Sequence, residues 1–247
     1  MKRLFDFVAA LLGLLLLAPL LVVIATAIWI EDQHSPFYAG KRIARGGGSF
    51  RMVKFRSMVK DAWKNGVSST SAGDRRITRI GHLLRLAKLD ELPQLWNVLT
   101  GDMSLVGPRP QVEADAALYT PAERRLFDVR PGITDLASIV FADEGQILAG
   151  SADPDLLYNQ VIRPWKSRLA LLYLDRATFT TDLWLILLTL ASAVSRGYAL
   201  SSVVRLLEAW SADPQLRRVA SRRQPLFAAP PPGADEIVDR YPRTAHV

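Results

Sequence analysis

The sequence predicts a helix-rich α+β protein that enters a membrane through its N-terminal segment. Three observations lead there. Residues 7–30 carry no charge and consist mostly of Leu, Val, Ile and Ala, a run long enough to cross a bilayer as a helix. Apolar and basic residues alternate from Phe50 to Arg56 behind a Gly46-Gly47-Gly48 turn, the pattern of a hairpin. Apolar residues then recur at helical spacing in several later segments. With 49% hydrophobic residues and no cysteine among 247, a core is available without disulfides. Thiol catalysis and cysteine metal sites are excluded. The three histidines (His34, His82, His246) are scattered, which argues against a histidine-rich metal site. The net charge of +7 admits phosphorylated substrates, anionic lipid or nucleic acid. No helix-turn-helix or zinc-finger spacing supports nucleic acid.

The first segment is expected to stay in the membrane. Ala25-Thr26-Ala27 looks like a signal cleavage site, but the apolar run before it is too long and continues past it in Ile28-Trp29-Ile30. A buried core helix rarely stays apolar all round for this length. Pro19, preceded by Ala18, sits at the midpoint and removes one backbone hydrogen bond. Lys2 and Arg3 lie before the run, and Lys41, Arg42, Arg45, Arg51 and Lys54 after it. Basic flanks prefer the cytoplasmic side, so a proline-broken helix that enters and returns is favoured over a straight span.

Residues 36–58 are expected to form the hairpin, close to the membrane surface. The triple glycine lacks the Lys-Ser/Thr of a P-loop and reads as a turn. Lys54 is either a solvated or headgroup-facing strand residue or a contact to a substrate phosphate. Residues 60–73 read as a polar, mobile connection. Ile80, Leu83, Leu84 and Ala87 give the next helix, with Arg85 on its basic face.

The stretch Asp90 to Pro110 holds the candidate chemistry. Asp90 and Glu91 open a short apolar helix, with Pro93 tolerable only in a first turn and Gly101 suited to its end. Asp90 is thereby expected at or near an N-cap, where the helix start favours its ionised form. Pro108 and Pro110 flank Arg109 and stiffen the backbone that aims its guanidinium. An isolated Asp-Glu is usually a cap. Together with a held arginine it suits phosphate chemistry, with one carboxylate as nucleophile, another as Mg²⁺ ligand, and a planar fork gripping phosphate oxygens.

Past Pro110, Thr120-Pro121-Ala122-Glu123 fits a capping box. Arg130-Pro131-Gly132-Ile133-Thr134 reads as a turn leading into a short strand at 139–141, followed by helices over 156–174 and 182–194. The second is short for a span and suits the membrane surface or packing on the first segment. From about Ser211 the chain becomes basic and proline-rich, with Arg217, Arg218, Arg222, Arg223 and then Pro230-Pro231-Pro232-Gly233. It reads as a tail with little to bury. The expected organisation is a membrane element at 1–32, a cytoplasmic domain at 33–200 and an extension at 201–247.

The run from Asp90 to Pro110, with Lys54-Phe55-Arg56-Ser57-Met58 before it, closely resembles the signature of the bacterial sugar transferases, monotopic phosphoglycosyl transferases that act on polyprenyl phosphate. The resemblance covers roughly residues 1–196. It implies a re-entrant helix with both ends cytoplasmic, at the bacterial inner membrane. It implies transfer of a sugar-1-phosphate from a UDP-sugar to undecaprenyl phosphate with release of UMP, the first membrane step of a surface glycan such as exopolysaccharide or lipopolysaccharide. Asp90 would be the nucleophile that carries the phosphosugar, Glu91 the Mg²⁺ ligand, and Lys54, Arg85 and Arg109 the phosphate contacts. Asp182 resembles a family acid that orients basic residues of the site; as an N-cap of the following helix it would need no such role. Some relatives have serine where this chain has Ala18, and many have Gly and Gln where it has Asp135 and Ser138, close to the substrate. Membrane lipid, a second copy or downstream glycosyltransferases would be partners. The alternative is a non-catalytic membrane-anchored scaffold that recruits glycan-assembly proteins through the basic tail.

Overall fold

The computed structural model describes residues 1–62 and 69–241; part of the connection expected at 60–73, and His246, lie outside them. Helix α1 (Lys2–Asp32) is followed by strands β1 (Phe37–Ile43) and β2 (Ser49–Phe55), which pair antiparallel around the glycine turn as expected. Gly46 and Gly47 take left-handed φ values of 77° and 82° there, a conformation glycine adopts without a Cβ clash. Helix α2 (Arg79–Leu86) is capped by Thr78, and α3 (Gln94–Thr100) ends on Gly101.

Helix α1 is continuous through Ala18 and Pro19, so the expected break is not a gap in helical structure. Both of its ends dock on the same folded body. At the N-terminal end, Arg3 donates to the Val98 and Leu99 carbonyls and Asp6 accepts from Ser104 Oγ at 2.8 Å and from the Leu105 amide at 3.2 Å. At the C-terminal end, Glu31 accepts from the Arg79 amide, Asp32 pairs with Arg56, and Ile24 and Ile28 pack on Phe55 and Leu84. Between them Leu15, Leu16, Ala18, Pro19, Val22 and Val23 are exposed. Leu83, Leu86 and Trp96 add exposed apolar surface on α2 and α3.

Strand β3 (Ser104–Val106) pairs in parallel with β4 (Gly132–Thr134). Between these come α4 (Glu113–Ala117) and α5 (Pro121–Arg124), the latter with the expected Thr120–Glu123 capping box. The strand expected at 139–141 is instead the end of helix α6 (Leu136–Val140). The physical reason is a cap: Asp135 accepts from the Ser138 amide and hydroxyl, each at 2.6 Å, and starts a helix where β-branched residues alone suggest extension. Helices α7 (Glu144–Ile147), α8 (Pro154–Leu157) and α9 (Arg163–Arg176) follow. A π-helical turn at Tyr158–Ile162 joins α8 to α9. Pro164 supplies no N–H to a regular helical bond there, which favours the wider turn.

Helices α10 (Phe179–Val194), α11 (Arg196–Ala209) and α12 (Pro214–Ser221) complete the fold. The chain beyond Ser211 is therefore not a tail with little to bury. Leu216, Val219, Ala220 and Ala229 join Leu136, Trp165, Leu185, Val203 and Leu207 in the largest apolar core. The amphipathic spacing of Leu216, Val219 and Ala220 is what the Arg and Pro content obscures.

Candidate active site

A cleft of about 1270 Å³, including its open mouth, lies between the hairpin with α2 on one side and α4, α6 and α7 on the other. Four elements carry the expected residues to it. Lys54 comes from β2 and Arg85 from the last turn of α2. Asp90 and Glu91 form a 3-10 turn at Leu89–Glu91, and Arg109 comes from the loop after β3. Asn97, on α3, braces β2, donating to the Arg51 carbonyl and accepting from the Val53 amide, each at 2.8 Å. That cross-link fixes the register of β2 beside α3.

Asp90 is not an N-cap: α3 begins at Gln94, one turn later. The 3-10 turn follows Lys88, which holds a left-handed φ of 54°, an uncommon conformation for lysine that costs free energy. Asp90 is 7% exposed and makes no side-chain hydrogen bond among the described residues. Burial first, then the neighbouring Glu91 charge, push its carboxyl above the usual range, while Lys54, Arg85 and Arg109 oppose the shift. Nearby cations, rather than a helix start, therefore favour the ionised form.

Arg109 donates to both Glu91 oxygens, at 2.6 and 3.2 Å. Against the cost of burial, that pairing brings the Glu91 carboxyl down to about 2. Pro108 and Pro110 are buried on either side of the half-exposed arginine. The loop starts from a close approach of two glycines: a Cβ built on Gly132 would lie 2.1 Å from the Gly107 nitrogen. Lys54 is brought to about 8, chiefly by burial, with Asp90 acting the other way.

Among the described residues no three His, Cys, Asp or Glu side chains converge as a metal cage. A Mg²⁺ ion in phosphoryl transfer needs only one or two carboxylates, with phosphates and water completing its shell. Glu91 fits that demand, because each oxygen bound to Arg109 retains another lone pair. Asp182 lies elsewhere: it pairs with Lys2 at 2.5 Å and accepts from the Tyr173 hydroxyl. It orients the N-terminus of α1 rather than the cleft's basic residues, and the N-cap of α10 is Thr178.

The cleft also holds Arg42, Lys88, Asp115, Ser138, Glu144, Tyr158 and Lys166. Strand alternation could have found Arg42, which shares a face with Met52 and Lys54 across the paired strands. Glu144 and Lys166 form an ion pair between α7 and α9, a long-range meeting with no local signal.

Residues 1–196 match the model of the bacterial sugar transferase family. The chain belongs to that family. It is 37% identical over 188 residues to the UDP-glucose:undecaprenyl-phosphate glucose-1-phosphate transferase of Caulobacter vibrioides, covering 73% of this chain and 70% of that protein. It is 35% identical over 208 residues to the exopolysaccharide production protein PSS of Rhizobium leguminosarum bv. phaseoli, covering 80% and 96%. Over 142 residues it is 37% identical to a UDP-N-acetylgalactosamine-undecaprenyl-phosphate N-acetylgalactosaminephosphotransferase of Aeromonas hydrophila, covering 56% and 34%. The chain spans about a third of the length of such longer relatives.

Proposed function

We propose that the protein transfers a sugar-1-phosphate from a UDP-sugar to undecaprenyl phosphate at the cytoplasmic face of the inner membrane. The observation that carries this is Asp90: a buried carboxylate without a hydrogen-bonded partner among the described residues, influenced by Lys54, Arg85 and Arg109 in one cleft of a sugar transferase.

Asp90 attacks the β-phosphorus of the donor. The bond from that phosphorus to the UMP oxygen breaks, UMP leaves, and an aspartyl phosphosugar remains. An oxygen of undecaprenyl phosphate then attacks the same phosphorus, the bond to Asp90 breaks, and the free carboxylate returns with polyprenyl diphosphosugar as product. Lys54, Arg85 and Arg109 hold phosphate oxygens and counter the charge that gathers in the transition state. Glu91 keeps Arg109 in place and is the residue that would hold Mg²⁺; when bound, that ion lowers the repulsion between the anions being joined.

Helix α1 supports the proposed membrane arrangement. Its two ends touch one folded body and its exposed apolar middle contains Pro19. A helix with both ends on the same domain favours entry and return over a span, which keeps the cleft at the level of lipid phosphates. The experiment is incubation of purified protein with a UDP-sugar labelled in its β-phosphate. Wild type should become labelled and release the label to undecaprenyl phosphate, and Asp90→Asn should do neither. Label on the Asn variant would overturn the role given to Asp90.

A further inference from the structure

The proposed reaction engages Lys54, Arg85 and Arg109 and leaves the carboxylate of Asp115 without a task. Asp115, on α4, lines the same cleft as Asp90. The charges that act on it most are those of Asp155, Arg163 and Arg42. Glu91 is neutralised by Arg109 and Glu144 by Lys166, whereas Asp115 has no ion-pair partner among the described residues. A carboxylate there repels phosphate and suits a group that donates hydrogen bonds, such as a hydroxyl.

One Asp115 oxygen is already held. The Tyr241 hydroxyl donates to Oδ1 at 2.8 Å, and Oδ2 has no hydrogen-bond partner among the described residues. Tyr241 reaches that place because the chain after α12 is tied down along its course. Trp165 Nε1 donates to the Phe227 carbonyl, the Ala229 amide donates to the Gln160 carbonyl, and Gln160 Nε2 donates to the Val238 carbonyl. Residues beyond the family match thus reach the wall of the cleft.

We propose that Asp115 is a specificity-determining residue of the donor site, accepting hydrogen bonds from vicinal hydroxyls of a carbohydrate ring, and that Tyr241 is its positioning residue. The ring is either the ribose of the nucleotide or the sugar being transferred. This rests on the UDP-sugar reading above.

The test uses the full-length protein in detergent as wild type, Asp115→Asn and Tyr241→Phe. Donor KM and kcat are measured for UDP-glucose, UDP-galactose and their N-acetylated forms, together with inhibition by UMP. Asp115→Asn should raise donor KM by about tenfold or more, the scale of a lost hydrogen bond to a charged group. Tyr241→Phe should raise it less, with kcat nearly kept. UMP inhibition weakened to the same extent assigns the ribose hydroxyls; unchanged UMP inhibition with altered preference among donors assigns the sugar. Both variants folded, with wild-type KM, preference and UMP inhibition, would overturn the inference alone. Failure of the wild type to bind or turn over any of the four donors would overturn the reading on which it rests as well.

Discussion

Arg109 and Glu91 form a two-point ion pair in the wall of the cleft, with Nη2 2.6 Å from Oε1 and Nη1 3.2 Å from Oε2. The arginine thereby aligns one of the two acids while keeping its remaining donors for a phosphate. A lysine keeps the charge but cannot make the planar fork. Arg109→Lys should therefore lower transfer by about tenfold or more, the scale of a lost charge-assisted hydrogen bond. The pair also gives a pH signature. Glu91 titrates at about 2 in the folded protein against an ordinary 4.5. Its stabilising contribution is present above pH 4.5 and is lost as pH falls towards about 2. Thermal unfolding followed over that window should show Arg109→Ala, which lacks the pairing, losing less stability on acidification than wild type; superimposable acid profiles would contradict it.

Asp90 carries the opposite sign. Burial and Glu91 raise its folded pKa, so its contribution is fully present below the ordinary carboxylate pKa and is lost as pH rises through the raised value. At neutral pH the charged carboxylate is a cost to the fold. Asp90→Asn should unfold at a higher temperature than wild type at pH 7 while transfer falls by on the order of 10⁴-fold. Calorimetry and UMP release on the same preparation check both, and a lower unfolding temperature would contradict the electrostatic account.

Lys54 gives a limb on the alkaline side. With its ammonium titrating at about 8, phosphate binding should weaken as pH rises through that value. Lys54→Arg stays charged and should carry activity to higher pH. The comparison is kcat/KM for the donor over roughly pH 7 to 10, and an identical alkaline limb in the two proteins would rule Lys54 out as its source.

Much of the site was legible because its parts lie in short, stiff stretches. Pro108 and Pro110 bracket Arg109, Asp90 adjoins Glu91, and strand alternation exposes Lys54. What escaped was set by contacts distant in sequence. The cap that turns 136–140 into a helix needs Asp135 and Ser138 read together, and their β-branched neighbours point the other way. Asp182 was placed by motif, but its partner is Lys2, some 180 residues earlier. Glu144 and Lys166 meet across some twenty residues, where α9, reached through the π-helical turn at Tyr158–Ile162, packs on α6. The C-terminal segment looked unfolded because its charge was counted and the spacing of Leu216, Val219 and Ala220 was not.

The two docked ends of α1 predict its topology. The natural chain lacks cysteine, so Lys2→Cys and Gln33→Cys each introduce a single thiol. Both should resist a membrane-impermeant reagent added to the periplasm and react once the inner membrane is opened. Labelling of one alone from outside would mean that α1 spans. Asp6 tests the same docking through stability. It is 3% exposed and accepts from Ser104 and Leu105, so Asp6→Ala leaves buried donors unpaired and should cost about 1–3 kcal/mol.

The C-terminal helices make the last prediction, and it separates a family boundary from a folding boundary. The family match ends at residue 196, yet α11 and α12 bury Val203, Leu207, Leu216 and Val219 in the core that also holds Trp165. Trp165 packs edge-on against Phe227 with ring centroids 5.0 Å apart. Burial of one such aliphatic side chain is worth about 1.5–3 kcal/mol, and a whole domain is stable by only about 5–15 kcal/mol. A chain ending at Ser211 loses Leu216, Val219 and Phe227 together, which is enough to consume most of that margin. It should fail to yield a monodisperse, cooperatively unfolding protein, while Leu216→Ala alone should remain folded and unfold about 2–5 kcal/mol less stably. A truncated protein with the wild-type unfolding temperature would show that these helices lean on the core without being part of it.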